Sequence, residues 1–264
     1  MSTNDPHSSV LRREHLMRDQ RAQLPGARCA DAVRAGATGT ADDLLVLTWS
    51  AADLARERAA GVRVLRGAGI ATGMRVANTL PGALAAPGSL LLGDVIEALG
   101  CLDVPLGTIE TDVAARPAWD LVDRVEPAVM VLDPTTAIRF LAAAPSAPRP
   151  WWRGIVWLRT PPAAASPPNV PATAGFSGWQ RMWLAVPEVT SFVAYSCSAG
   201  RFHPDAGVAT EIIDGSTGAI LAAGRDGLLA LTAGKTARYA SSLQARASTT
   251  PCACGTPGSI LDVP

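Results

Sequence analysis

Residues 73–107 read GMRVANTLPGALAAPGSLLLGDVIEALGCLDVPLG, with a short apolar segment on each side of a longer one. The short segments, 74–80 and 101–107, have the length of buried strands, and 88–100 has the length of a helix. Parallel strands need a crossover connection of this kind, usually a helix. The sequence therefore predicts two parallel strands joined by a helix at this point.

The same alternation continues on both sides of this unit. A strand is predicted at 44–48, and Ser50 with Asp53 forms a variant capping box that begins the next helix. Further along, helices over 111–125 and up to about residue 143 alternate with strands at 127–133 and 154–159. Short apolar strands that alternate with helices are typical of a parallel sheet covered on both faces, so we predict the α/β class.

Three parts are predicted along the chain. Residues 1–33 form a helical lead-in, and 34–187 form an α/β domain with a Pro-rich loop at 145–173. Residues 188–264 form a small β-rich subdomain, in which ATEIIDGSTGAIL and GLLALTA are predicted to be strands joined by Gly, Ser and Asp turns.

Composition excludes some classes of partner. Apolar residues make up 48% of the chain and charged residues 17%, and the net charge is zero, so no broad field attracts nucleic acid or anionic lipid. The most apolar window, 80–102, contains Asp94, Glu97 and two prolines, which favours a buried element over a membrane span. The N-terminus has no apolar core, and the five cysteines are an odd number, so we expect a cytoplasmic protein with reduced thiols.

The order of these segments resembles that of phenylacetate–CoA ligases, which belong to the adenylate-forming, AMP-binding superfamily. The resemblance depends on residues 73–107, on the segment from VAYSC (193–197) to GLLALT (227–232), and on RYASSLQARASTTPCACG (238–255). The last aligns without gaps with the family's Arg-Tyr-Arg-Thr-Gly-Asp and the Pro-Cys-x-Cys-Gly that follows it. The resemblance implies an adenylate-forming-enzyme-like N-terminal domain, and activation of an aryl or acyl acid with ATP before transfer to coenzyme A.

The family's phosphate loop corresponds to AGATGTA (35–41). Three residues there keep backbone amides that could cradle a phosphate: Gly36, Thr38 and Gly39. Thr40 and Ala41 stand where the family has a cation and a proline. The resemblance therefore implies a degenerate loop.

The clearest departure from the family is at Leu243, which aligns with the aspartate that binds the ATP ribose. That carboxylate makes charge-assisted hydrogen bonds, each on the order of 1.5–3 kcal/mol. A loss of roughly 2–4 kcal/mol would weaken ATP binding by about 30- to 1,000-fold. Arg238 and Tyr239, which begin the pattern, are interpreted as remnants of the nucleotide site, and we expect ATP or AMP binding to be weak or lost.

Two segments compete for the family's Tyr-Gly-x-Ser/Thr-Glu motif, whose glutamate faces Mg²⁺ and phosphate. LAVPE (184–188) keeps the glutamate as Glu188, whereas YSCSA (195–199) places Ala199 there. We prefer the first, because VAYSC then falls on the family's following strand. Glu188 is therefore the candidate catalytic residue, and a solvated turn carboxylate is the alternative.

The lysine that drives adenylation belongs to the family's C-terminal domain. Because the chain ends at Pro264, we expect that domain to be absent. The single lysine, Lys235, lies upstream in the β-rich part and does not correspond to it. An arginine does not readily replace a catalytic lysine, because its hydration and donor geometry differ.

The resemblance also implies a candidate metal site, because some phenylacetate–CoA-ligase-like proteins carry a Cys/His set in this part of the chain. Its residues here are Cys197, His203, Cys252 and Cys254, whose spacing alone is not a standard zinc signature. Three thiolates and one imidazole suit tetrahedral Zn²⁺, and a closed four-ligand site would pin the β-rich part without taking part in chemistry. The alternatives are that these residues are ordinary small core residues, or that the CxC pair is a redox pair.

Three functions are consistent with these patterns. The first is a degenerate ligase-like domain without full ATP-dependent ligase activity, acting as an accessory or small-molecule-binding protein. The second is an enzyme acting on an aryl or acyl acid, or on its CoA thioester or adenylate, through the retained pocket or with a C-terminal domain supplied in trans. The third is a structural protein that binds a protein partner.

Overall fold

The structure is a computed structural model that describes residues 10–22, 31–39, 42–81, 87–135, 137–161, 167, 169–234 and 237–264. Thr40, Ala41 and Lys235, which the sequence analysis singled out, lie outside the described residues. The described helices are α1 (Arg13–Ala22), α2 (Ala51–Gly67), α3 (Pro87–Ala98), α4 (Asp112–Val125) and α5 (Ala137–Ala142). Within the described ranges, no helix combines the length and apolar character needed to span a membrane.

The described strands fall into two groups along the chain. The first seven are β1 (Ala32–Thr38), β2 (Leu45–Ser50), β3 (Arg75–Asn78), β4 (Leu102–Pro105), β5 (Val129–Leu132), β6 (Gly154–Arg159) and β7 (Trp179–Val186). The remaining six are β8 (Thr190–Ser196), β9 (Phe202–Pro204), β10 (Val208–Ile213), β11 (Asp226–Ala233), β12 (Tyr239–Ala247) and β13 (Leu261–Asp262).

The predicted capping box is present at the start of α2. The Ser50 hydroxyl accepts a hydrogen bond from the Asp53 amide at 3.2 Å, and the Asp53 carboxylate accepts one from the Ser50 amide at 3.0 Å. The two side chains thereby satisfy backbone donors that the first helical turn leaves without partners. The predicted strands and helices between residues 44 and 159 are all confirmed, with shifts of a few residues at their ends.

Eleven strands form one continuous sheet in the order β10-β11-β12-β13-β9-β8-β7-β6-β5-β3-β4. The five strands from β4 to β7 are parallel to one another, and every pair from β7 to β10 is antiparallel. The change falls at the β7–β8 turn, which contains the predicted domain limit between residues 187 and 188. The α/β class is confirmed, and the limits of the three parts stay a prediction.

Side chains that alternate along the parallel strands enter two separate cores, as the period of a strand requires. On β5, Val129 and Val131 pack in the cluster that includes α2 and α3, whereas Met130 and Leu132 pack in the cluster that includes α4 and α5. Both faces of the parallel part are therefore covered, as predicted. The antiparallel part has its own apolar cluster.

A two-stranded hairpin of β1 and β2 stands apart from the large sheet. Its register runs from Ala32 opposite Ser50 to Thr38 opposite Leu45. The sequence analysis did not predict β1, because its Gly/Ala-rich sequence has little intrinsic strand preference. The hairpin places residues 35–38 of the predicted phosphate-loop segment on β1, and Gly39 directly follows the strand.

Candidate functional site

A cleft of about 470 Å³ opens where the tip of the β1–β2 hairpin, the β7–β8 turn, β12 and α1 meet. This volume lies in the range of small-molecule sites. The lining residues are Arg12–Glu14, Thr38, Gly39, Asp43, Pro161, Glu188, Leu228 and Tyr239–Ser242. Four of the predicted nucleotide-site and catalytic residues are therefore brought together: Thr38, Gly39, Glu188 and Tyr239.

Glu188 reaches this cleft from a tight turn. The amide of Val189 donates to the carbonyl of Val186 at 2.8 Å, which closes the connection between β7 and β8. The Glu188 side chain is only 7% exposed, so it is not a solvated turn carboxylate. Burial raises the pKa of the nearby Tyr239 phenol and the Glu188 carboxylate raises it further, so this phenol stays neutral. The catalytic role of Glu188 stays a prediction.

Arg13 of α1 extends into the cleft and contacts three separate segments. Its guanidinium forms an ion pair with Glu188, and Nη2 donates to the Thr38 carbonyl at 2.8 Å. Nε donates to the Asp43 carboxylate at 3.2 Å, and Nη2 also donates to the Asp43 carbonyl at 2.6 Å. Arg13 is not predictable from the sequence, because these partners lie 25, 30 and 175 residues away and no local pattern marks them.

Gly39 is fitted closely to this arrangement. Its φ of 98° lies in the region that favours glycine. A Cβ at this position would collide with the Arg13 guanidinium and with Asp43. The loop backbone can therefore approach the guanidinium only because residue 39 has no side chain.

Two predicted nucleotide-site residues lie outside the cleft lining. Gly36 is in the middle of β1, opposite Leu47 of β2. Arg238 forms an ion pair with Glu211, with Nε 2.6 Å from the carboxylate, and Nη1 donates to the Gly218 carbonyl at 3.4 Å. Nucleotide-binding roles for all five predicted residues stay predictions.

Leu243 is turned away from the cleft at an irregularity in β12. Ala240 of β12 pairs with Ala230 of β11, and Gln244 pairs with Leu228. The three residues 241–243 of β12 therefore lie opposite Leu229 alone, which makes a bulge in β12. The Ser241 hydroxyl donates to the Leu229 carbonyl at 2.8 Å within this bulge. Leu243 is 4% exposed and packs in the apolar cluster of the antiparallel part, while residues 239–242 face the cleft.

A second cavity of about 460 Å³ lies between α2 and the β7–β8 turn, and Glu188 also contributes to its lining. Burial raises the pKa of Glu57 in this cavity, although the Ser191 amide donates to its carboxylate at 2.9 Å. Asp205 accepts two hydrogen bonds from Arg63, at 2.6 and 2.8 Å. The sequence analysis missed these groups, because charged residues on a helix and in a turn are ordinary surface features.

The four predicted metal ligands converge. Their ligand atoms all lie within 4.8 Å of one another. Cys197 Sγ lies 3.4 Å from Cys252 Sγ, and Cys254 Sγ lies 3.3 Å from His203 Nε2. A tetrahedral Zn²⁺ with Zn–S bonds of about 2.3 Å would place its sulfur ligands about 3.8 Å apart, close to this spacing. The cluster could therefore hold a metal ion, and its donor set fits zinc.

Two similar turns position the cysteines. The amide of Gly200 donates to the Cys197 carbonyl at 3.0 Å, and the amide of Gly255 donates to the Cys252 carbonyl at 3.1 Å. Both glycines have positive φ, 74° and 78°, as a tight turn of this kind requires. The repeated Cys-x-x-Gly, in CSAG and CACG, is the sequence signal of these two turns.

The surroundings of Cys254 favour its thiolate over its thiol, and the thiolate is the form in which cysteine ligates a metal ion. The side chain and backbone amide of Thr256 donate to Sγ and lower the pKa of this thiol to about 7, and the amide lies 3.4 Å from the sulfur. His203 is buried, and burial lowers its pKa, which keeps the imidazole neutral and able to ligate. The cluster ties β9 and the end of β8 to the loop between β12 and β13.

The fold of this chain is similar to that of solved adenylate-forming acyl-CoA ligases. A structure of 2-hydroxyisobutyryl-CoA ligase in an open conformation, in complex with 2-HIB-AMP and CoA, matches with a TM-score of 0.78 and 17% identity over 94% of this chain and 61% of that chain. A long-chain-fatty-acid-CoA ligase from Archaeoglobus fulgidus matches with a TM-score of 0.58 and 10% identity, over 77% of this chain and 42% of that one.

The amide bond synthetase McbA from Marinactinospora thermotolerans matches with a TM-score of 0.54 and 18% identity, over 77% of this chain and 40% of that one. At these identities the likeness establishes a shared fold. The chain spans 54–61% of the length of the matched 2-hydroxyisobutyryl-CoA ligase structures. The sequence matches no protein-family model and no curated protein.

Proposed function

We propose that this chain is a degenerate phenylacetate–CoA-ligase-like domain that lacks full ATP-dependent ligase activity and acts as an accessory or small-molecule-binding protein. The observation that supports this most strongly is the position of Leu243. In the alignment with the family's pattern, Leu243 stands in place of the ribose-binding aspartate. Its apolar side chain is buried in the core of the antiparallel part.

The part of β12 that lines the cleft offers no substitute carboxylate. It contributes the buried, neutral Tyr239 phenol and the segment Ala240–Ser242, in which the Ser241 hydroxyl already donates to a backbone carbonyl. A ribose bound against β12 would find no charged acceptor on that strand, and charge-assisted hydrogen bonds contribute on the order of 1.5–3 kcal/mol each. Affinity for ATP is therefore expected to be about 30- to 1,000-fold lower than in a site that keeps the aspartate.

The cleft retains the size needed for a small organic ligand. The matched 2-hydroxyisobutyryl-CoA ligase was solved with 2-HIB-AMP and CoA, which makes an aryl or acyl acid, or its adenylate, the ligand class to test first. Binding without turnover would suit an accessory protein that holds or senses such a compound.

We further propose that the Cys/His cluster holds a structural zinc ion. Cys197, His203, Cys252 and Cys254 provide four ligands, which would leave no open position for a substrate. The ion would fasten the β12–β13 loop to β8 and β9, and it would stabilise the antiparallel part without entering any reaction.

The test is ATP–pyrophosphate exchange with the 264-residue chain and a panel of aryl and fatty acids, beside an active acyl-CoA ligase as positive control. Zinc content is measured on the same sample. The proposal predicts exchange at background level and one zinc ion per chain. Exchange clearly above background with any acid would overturn the first part, and a folded protein free of metal would overturn the second.

A further inference from the structure

Helix α1 lies against the cleft and is held there by polar contacts and by Leu16, which packs partly buried against the apolar cluster of the antiparallel part. None of its described residues is buried. The Gln20 side-chain amide donates to the Val46 carbonyl at 3.1 Å and accepts from the Val46 amide at 3.3 Å. Just before the helix, Leu11 bridges to β12, donating to the Arg238 carbonyl and accepting from the Ala240 amide, both at 2.8 Å. Because α1 contributes no fully buried side chain, the segment can detach at the cost of exposing the partly buried Leu11 and Leu16.

The Arg13 guanidinium is the part of this segment that enters the cleft most closely. Its acceptors are one oxygen of the Glu188 carboxylate, one of the Asp43 carboxylate, and the carbonyls of Thr38 and Asp43. Hard divalent cations such as Mg²⁺ and Ca²⁺ prefer the same kind of ligands, carboxylate and carbonyl oxygens. The guanidinium therefore occupies an all-oxygen pocket that would otherwise suit a metal ion.

We propose that α1 is an internal plug, in which Arg13 takes the position of a divalent cation at Glu188 and closes the cleft to ligands that carry a cation with a phosphate. The inference depends on the proposed function only for the kind of ligand that is excluded. It applies equally to an inactive domain, in which the plug is permanent, and to an active one, in which α1 must leave before substrate enters.

The charges around the cleft support competition between the guanidinium and a metal ion. Among the described residues, the lining contains three acidic side chains, Glu14, Asp43 and Glu188, and two basic ones, Arg12 and Arg13. Arg13 is the basic group that pairs with Glu188, whereas the Arg12 guanidinium donates to the Gly215 carbonyl outside the lining. Glu188 is nearly buried, so an unpaired charge there is strongly disfavoured and a replacement cation is favoured.

The experiment uses the 264-residue chain with zinc supplied to the Cys/His cluster, and measures the binding of Mn²⁺ by electron paramagnetic resonance. Four proteins are compared: the unchanged chain, Arg13→Gln, Arg13→Gln with Glu188→Gln, and Arg21→Gln. Arg21 is an exposed arginine on the same helix and provides the matched control for charge. We expect Arg13→Gln to bind one Mn²⁺ at least about tenfold more tightly than the unchanged chain, the double variant to lose this gain, and Arg21→Gln to behave like the unchanged chain.

Hydrogen exchange supplies a second readout that does not depend on the Arg13 variant. Glu188→Gln weakens the same ion pair from the other side, so the amides of α1 should exchange faster in it than in the unchanged chain. The proposal is overturned if folded Arg13→Gln gains no Mn²⁺ affinity, if the unchanged chain already binds Mn²⁺ through Glu188, or if α1 exchange is unaffected in Glu188→Gln. Pyrophosphate exchange would overturn the proposed function alone, because neither readout here measures turnover.

Discussion

Replacing Leu243 with aspartate restores the residue type of the family pattern, and the structure predicts that it destabilises the protein without restoring a nucleotide site. Leu243 is 4% exposed and packs among apolar side chains. Burial of a leucine contributes about 1.5–3 kcal/mol, which the variant loses. A carboxyl group left there without hydrogen-bond partners costs about 1–3 kcal/mol more. The expected loss is therefore about 2.5–6 kcal/mol, a large fraction of a typical stability of about 5–15 kcal/mol.

Urea unfolding of three variants separates the contributions. Leu243→Met should cost less than about 1.5 kcal/mol, because it nearly conserves volume. Gln244→Asp introduces the same carboxylate at the exposed neighbouring position and should stay within about 0.5 kcal/mol of the unchanged chain. The reasoning is refuted if Leu243→Asp is as stable as Gln244→Asp and also gains ATP affinity, since residue 243 would then face the cleft.

Three further outcomes are expected. Cys252→Ser, or exposure to a strong chelator, should remove the metal and lower the unfolding temperature, whereas Cys101→Ser should leave the metal content unchanged, because Cys101 lies outside the cluster. Glu57→Gln should stabilise the chain at about pH 8 but not at about pH 4. Burial raises the pKa of the Glu57 carboxyl in the folded chain above its pKa in the unfolded chain. The unchanged chain therefore loses stability as the pH rises from the unfolded pKa through the folded pKa, and glutamine, which does not ionise, avoids this loss. The comparison is made by thermal unfolding at both pH values, and an equal effect at both would contradict it. Asp205→Asn should lower the free energy of unfolding, measured in urea, by about 1–3 kcal/mol, because the nearly buried carboxylate accepts two hydrogen bonds from Arg63. A loss within error of zero would show that this ion pair is not maintained in solution.

The elements that sequence analysis predicted correctly depend on local patterns. The Ser50–Asp53 capping box needs only residues three apart, and the strand at 129–132 follows from a short apolar run between prolines. The parallel arrangement follows from the helices that separate such strands. These signals are contained within about thirty residues of chain.

The features that define the candidate site depend on contacts between distant segments. The Arg13–Glu188 pair joins residues 175 apart, and nothing near Arg13 distinguishes it from the other arginines of the lead-in. The gapless alignment identified Leu243 as the departure from the family, but the bulge that turns this side chain into the core appears only in the pairing of β12 with β11. The metal ligands were predicted because the family resemblance supplied the long-range pairing that their spacing alone does not.

Titration calorimetry with Mg²⁺ and ATP tests the main conclusion most directly, because binding does not require any catalytic step. For the unchanged chain we predict no saturable binding up to about 1 mM ATP, since the ribose would find no charged acceptor on β12. Saturable, one-to-one binding with a dissociation constant of about 10 µM would contradict the account, because it would show that a working adenosine site exists without an aspartate at position 243.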